Sequence, residues 1–113
     1  MTLNEVMMLT QATCVCGNVS TRAVNYGFGS DLMSDVLTLN VTDLLLITGM
    51  CNPQTIRTAE MGDIKNILFV RGKKVTPEMK EIAADSDIVL METSFSMFHA
   101  AGVLYSAGLP PVF

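Results

Sequence analysis

Three apolar runs, Leu44-Leu-Leu-Ile47, Ile67-Leu-Phe-Val70 and Ile88-Val-Leu-Met91, recur along this chain with helix signals between them. Each run is apolar throughout rather than alternating, as strands covered on both faces are. Runs of that kind alternating with helices are what βα units around a parallel sheet produce. Asn52-Pro53 supplies a cap and a first-turn proline for one intervening helix, which runs to about Ala59 and ends near Gly62. Thr76-Pro77 does the same for the next, with Met79, Ile82 and Ala83 as its inner stripe. The fold class expected is α/β, as one domain over residues 1–113.

The flanking segments are less regular. Thr2-Leu-Asn-Glu5 matches a capping box, with Leu3, Val6 and Met7 on one helical face behind it. Ala12 to Gly17 reads as a β segment and Val19 to Val24 as a second extended piece. A turn at Gly27 and Gly29 follows, and then a helix starting at Ser30 whose buried stripe is Leu32, Met33, Val36 and Leu37. Ser94 is expected to cap the last helix, in which Phe95, Phe98, Gly102 and Tyr105 share one side. Gly108 and Pro110 stop it, and the apolar Leu109-Pro-Pro-Val-Phe113 packs on the domain or on a neighbouring subunit.

Composition narrows the function. Half the residues are hydrophobic and 16% charged, so much of the chain is buried in the fold or against a partner. Seven basic against eleven acidic side chains, with no basic run, disfavour a nucleic acid partner. The apolar runs are far shorter than the roughly 20 residues of a membrane-spanning helix, and the start lacks the basic region of an export signal. With three cysteines, an odd number, the reading is a cytoplasmic protein with reduced thiols.

In parallel sheets ligands sit beyond the carboxyl ends of the strands. That rule gathers the loops at Gly27 to Asp31, Thr48 to Asn52, Arg71 to Lys74 and Glu92 to Ser94 at one rim. The candidate ligand-binding residues are Gly27, Gly29, Ser30, Asp31, Thr48, Asn52, Arg71, Thr93 and Ser94. Arg71 and its lysine neighbours offer charge to a small anionic metabolite or nucleotide, although Asp31 argues against a phosphate directly over the helix end. A tight turn with a good cap accounts for the Gly27 to Asp31 residue types equally well. No Gly-Lys-Ser/Thr follows and position 32 is Leu, so neither a phosphate-binding P-loop nor a dinucleotide fingerprint is present. No nucleophile and base can be paired around His99, the only histidine. Cys14 and Cys16, which a regular strand would point to one side, could join Cys51 and His99 in a metal set, but the spacing fits no standard motif. Buried, unreactive thiols account for them better. No cofactor or metal is expected.

Three stretches together resemble the DRTGG domain family: Arg22 to Leu37 around Ser30-Asp-Leu-Met-Ser-Asp-Val36, Ile67 to Met79 around Arg71-Gly72, and Glu92 to Tyr105. Thr21-Arg22 stands where an Asp-Arg pair is usual, and Asn25-Tyr-Gly-Phe-Gly29 is a variant of the glycine segment. The resemblance implies a three-layer α/β/α sandwich with a mostly parallel central sheet, similar to the N-terminal domain of HPr kinase. It further implies a non-catalytic regulatory or dimerising domain, a homodimeric ligand sensor acting on a partner enzyme. Members of that family accompany iron-only hydrogenase components or are inserted in phosphotransacetylases and CBS-domain pyrophosphatases. The alternative function is a metal or redox accessory protein of a hydrogenase system using Cys14, Cys16 and Cys51. A small transferase or hydrolase is the least supported class.

Overall fold

The computed structural model describes residues 1–113. In chain order the elements are α1 (Leu3–Thr10), β1 (Thr13–Cys16), β2 (Tyr26–Gly29), α2 (Met33–Val36), β3 (Leu44–Thr48), α3 (Pro53–Met61), β4 (Asn66–Phe69), α4 (Pro77–Asp85), β5 (Val89–Glu92) and α5 (Met97–Ser106). One five-stranded sheet runs in the order β1-β5-β4-β3-β2. All its pairings are parallel except that of β1 with β5.

The three apolar runs supply the sheet's centre, and their alternation builds two cores. Leu45, Ile47, Leu68, Val70, Val89 and Met91 pack under Leu3 and Val6 of α1 and Ala100 and Leu104 of α5. Leu44, Leu46, Ile67, Phe69, Ile88 and Leu90 face the other way, against Val36 of α2, Ile56 and Ala59 of α3, and Met79 and Ala83 of α4. The result is the expected α/β/α sandwich. The loops into β3, β4 and β5 turn through Asp43, Asp63 and Asp87, all left-handed, a conformation that aspartate tolerates better than most residues.

The caps form where the sequence places them: Asn52 Oδ1 accepts from Thr55 N at 3.0 Å, and Thr76 Oγ1 from Met79 N at 3.3 Å. Thr2 and Glu5 complete their capping box. Glu5 accepts from the Thr2 backbone and hydroxyl, which lowers its pKa from the ordinary 4.5. A lowered folded-state pKa means stability present at neutral pH and lost as pH falls through that value. The urea midpoints of wild type and Glu5→Ala should therefore differ at neutral pH and converge in acid. A difference that persists in acid would show that Glu5 acts by packing instead.

The segment before α2 departs from expectation. Gly27 and Gly29 lie in β2, paired with Leu45 and Ile47, not in a turn. Val19 to Val24 forms no strand beyond an isolated bridge from Ala23 to Thr2. No helix begins at Ser30: its hydroxyl accepts from Leu32 N at 3.0 Å, Asp31 turns toward β3, and helical backbone is delayed to the single turn of α2. Consequently Val36 is buried while Leu32 and Leu37 are exposed.

Strand β2 shows why. Tyr26 and Phe28 pack toward the α2, α3 and α4 layer, and the glycines face α5 and the 109–113 segment. A Cβ on Gly27 would meet Leu109 Cδ2 at 3.0 Å, so this strand is glycine-rich to let its neighbours come close. Helix α5 is capped by Ser96, not Ser94. It turns Ala100 and Leu104 inward, leaving Phe98 90% and Tyr105 68% exposed. The 109–113 segment packs on the chain itself: Leu109 is buried and Gly27 N donates to Pro110 O at 2.9 Å. None of the helices is long and apolar enough to cross a membrane.

Candidate functional site

The carboxyl ends of β2 to β5 meet at one rim, and there Asp31 is the hub. Its Oδ1 accepts from Gly49 N at 2.7 Å and from Thr48 Oγ1 at 3.1 Å, and Oδ2 lies 3.8 Å from an Arg71 guanidinium nitrogen. Thr48 Oγ1 in turn accepts from Met50 N at 3.1 Å. A carboxylate thus occupies the Gly49 backbone N–H and faces the Arg71 guanidinium. Arg71 is held there by backbone geometry: its φ is +63°, and its N–H donates to Phe95 O at 2.8 Å. Its guanidinium lies flat over Gly49, where a Cβ would stand 2.4 Å from a guanidinium nitrogen. The ion pair itself is half exposed and stretched, so it contributes little to stability.

The other predicted residues divide. Asn52 is spent on capping α3. Thr93 is buried, donating to Thr10 O at 2.6 Å while its hydroxyl accepts from Phe95 N. Ser94 is exposed on the rim and Ser30 stands at the end of β2. Gly27 and Gly29 instead line an apolar groove of about 380 Å³ between β2, α5 and the 109–113 segment, with Phe98, Gly102 and Tyr105 on its far wall. Asp31 and Arg71 are each legible in the sequence. The Gly49 N–H that joins them carries no side-chain signal. Glu92 carries no such signal either: its Oε2 accepts from Val75 N at 2.6 Å and its Oε1 lies 3.5 Å from Lys74 Nζ.

The cysteines do not converge. A register shift between Cys14 and Cys16 breaks the alternation of β1, so Cys14 packs on the α1 and α5 core and Cys16 on the opposite one. The expectation that both point to one side fails for that reason. Burial pushes the Cys16 and Cys51 thiols up, reinforced by Cys14 beside the first and Glu92 beside the second. Raised thiols are poor nucleophiles and poor ligands. Nowhere do three or more His, Cys, Asp or Glu side chains come close enough to hold a metal ion.

A second polar recess of about 260 Å³ lies at the opposite, amino end of the strands, lined by Arg22, Ala23, Thr42, Asp43, Asp63, Lys65 and Asn66. Arg22 spans it, donating to Lys65 O at 3.1 Å, Asp87 O at 3.0 Å and Asp87 Oδ2 at 2.9 Å.

No family profile and no curated relative matches the sequence. Among solved structures, the chain is similar to the CBS and DRTGG domains of the regulatory region of Clostridium perfringens pyrophosphatase, complexed with its activator, diadenosine tetraphosphate. The TM-score is 0.71 at 14% identity, over 96% of this chain and 47% of that one. At that identity the likeness shows the fold, which is DRTGG-like. The chain spans about half the length of that regulatory region.

Proposed function

We propose that residues 1–113 act as one non-catalytic regulatory domain that self-associates as a homodimer and binds a small anionic metabolite or nucleotide at the rim, acting on a partner enzyme. The observation that carries this reading is the arrangement around Asp31: a guanidinium and a backbone N–H already hold one carboxylate between them. An incoming phosphate or carboxylate of higher charge would take over those partners. The DRTGG-like fold, shared with a regulatory region that binds a nucleotide activator, supports the same assignment. For the rival reading, a hydrogenase metal or redox accessory, the separated cysteines offer no support.

A thermal-shift screen with diadenosine tetraphosphate, mononucleotides and acyl phosphates, run beside light scattering, tests it. A ligand at about 100 times its Kd adds about 2.7 kcal/mol, which raises Tm by several degrees. Arg71→Ala should abolish that rise. Gly49→Ala should weaken it too, because the new methyl displaces the guanidinium without removing its charge. If no anion raises Tm, ligand binding at the rim is wrong; a monomer by light scattering would remove self-association.

A further inference from the structure

Parallel strands are joined by crossovers, usually through a helix, and the three in this sheet are unequally anchored. Those from β3 to β4 and from β4 to β5 carry α3 and α4, nine residues each. The crossover from β2 to β3, residues 30–43, carries only the four-residue α2, and Val36 is its one buried residue. Met33, Leu39 and Val41 rest half-buried on the α3 and α4 core. Its backbone bonds are mostly its own: Val36 N donates to Leu32 O, Leu37 N to Met33 O and Leu39 N to Val36 O. Ser30 N donates to Ile47 O at one end, and Asp43 O accepts from Asn25 N at the other. Between those ends, every hydrogen bond from the crossover to another element ends on one group, the Asp31 carboxylate, which accepts from Gly49 N and Thr48 Oγ1.

The two sides of this fastening differ in what holds them. On the donor side, Thr48 ends β3 and Gly49 follows it directly, while the backbone N–H of Arg71 is tied to Phe95 O. The acceptor side belongs to the crossover alone. Segments with few buried contacts open locally at lower cost than the core around them. Without the carboxylate, Val36 and its half-buried neighbours are all that press this crossover onto the domain.

We infer that Asp31 is a displaceable latch: an anion taken up at the Gly49 N–H and Arg71 replaces its carboxylate, and the β2-to-β3 crossover is released. This rests on the anion site proposed at the rim and adds how occupancy of that site is passed on. The anion and Asp31 use the same donors, and two negative charges so close repel, so the filled and latched states exclude each other. Release frees Met33, Val36 and Leu39 from the α3 and α4 core. The domain then offers a partner an apolar segment that it withholds while the rim is empty.

Amide exchange followed by NMR on the full chain, with diadenosine tetraphosphate, adenosine triphosphate and acetyl phosphate as the anions, tests the latch. Without any anion, Asp31→Ala should speed exchange at Val36, Leu37 and Leu39 by about tenfold or more, the ratio for losing one hydrogen bond to a charged group. Low urea should leave those rates unchanged, the mark of a local opening. In the wild type, an anion that raises Tm should speed the same three amides while slowing those of β4. Asp31→Asn keeps an acceptor for Gly49 and Thr48 but not the charge facing Arg71, so it should fold and bind that anion more tightly. Wild-type exchange in Asp31→Ala would overturn the latch whatever happens at the rim. An anion that raises Tm through Arg71 yet leaves or slows the three amides would overturn it with the rim site intact. If none of the anions changed Tm or exchange, the rim site and the switch would fall together, leaving Asp31 a fixed brace.

Discussion

Phe69→Ala is expected to lower stability by about 3–5 kcal/mol, the largest effect of any single truncation in this chain. Phe69 is fully buried in the central strand β4, in the core against α3 and α4, with strands on both sides. Domains of this size are stable by about 5–15 kcal/mol in total, so the variant should unfold about 12–25 °C lower, at about 4–5 °C per kcal/mol. Phe98→Ala is the matched control. Its ring is 90% exposed, and its removal should change stability by no more than about 0.5 kcal/mol. Urea denaturation of both, with m-values compared, checks the pair. A loss under about 1 kcal/mol at Phe69 would mean that the α2, α3 and α4 layer is loosely packed.

Arg22→Ala should follow at about 1.5–3 kcal/mol, the range for hydrogen bonds made by a charged group. The reason is the guanidinium's position. Its side chain is 21% exposed and reaches carbonyls of the chain leading into β4 and β5. Its carboxylate partner, Asp87, is 82% exposed, so Asp87→Asn should cost less than about 1 kcal/mol, as surface ion pairs do. The two variants separate a carbonyl tie from an ion pair. If the loss in Arg22→Ala shrank to that of Asp87→Asn, or faded in high salt, the ion pair would be the main contributor. The carboxylate that Arg22 meets comes from Asp87, 65 residues further along the chain.

What could be read from residues alone followed from short-range rules. Leu44 to Ile47 had to be a doubly covered strand, and Asn52-Pro53 and Thr76-Pro77 had to open helices, because each signal is complete within a few residues. The errors fall where tertiary packing outranks local chemistry. Gly27 and Gly29 look like a turn, yet they serve a strand that α5 and Leu109 must approach closely. Phe98 and Tyr105 share one side of the last helix, and which side faces the sheet is decided by Ala100 and Leu104, which are buried there. The antiparallel direction of β1 and the shift between Cys14 and Cys16 have no periodic signature. At the rim, Asp31 and Arg71 were recognisable as residues, but their meeting across Gly49 belongs to the fold.

The pairing of Gly27 with the Pro110 and Pro111 segment bears on how this protein behaves when concentrated. An outermost strand with free N–H and C=O groups is a template on which another chain can grow. Here that template is occupied by a strip whose two prolines have no N–H to offer onward. The sheet is thereby blocked at Gly27 from extending past β2. Removing residues 109–113 would not simply trim an ornament; it would reopen a growth front.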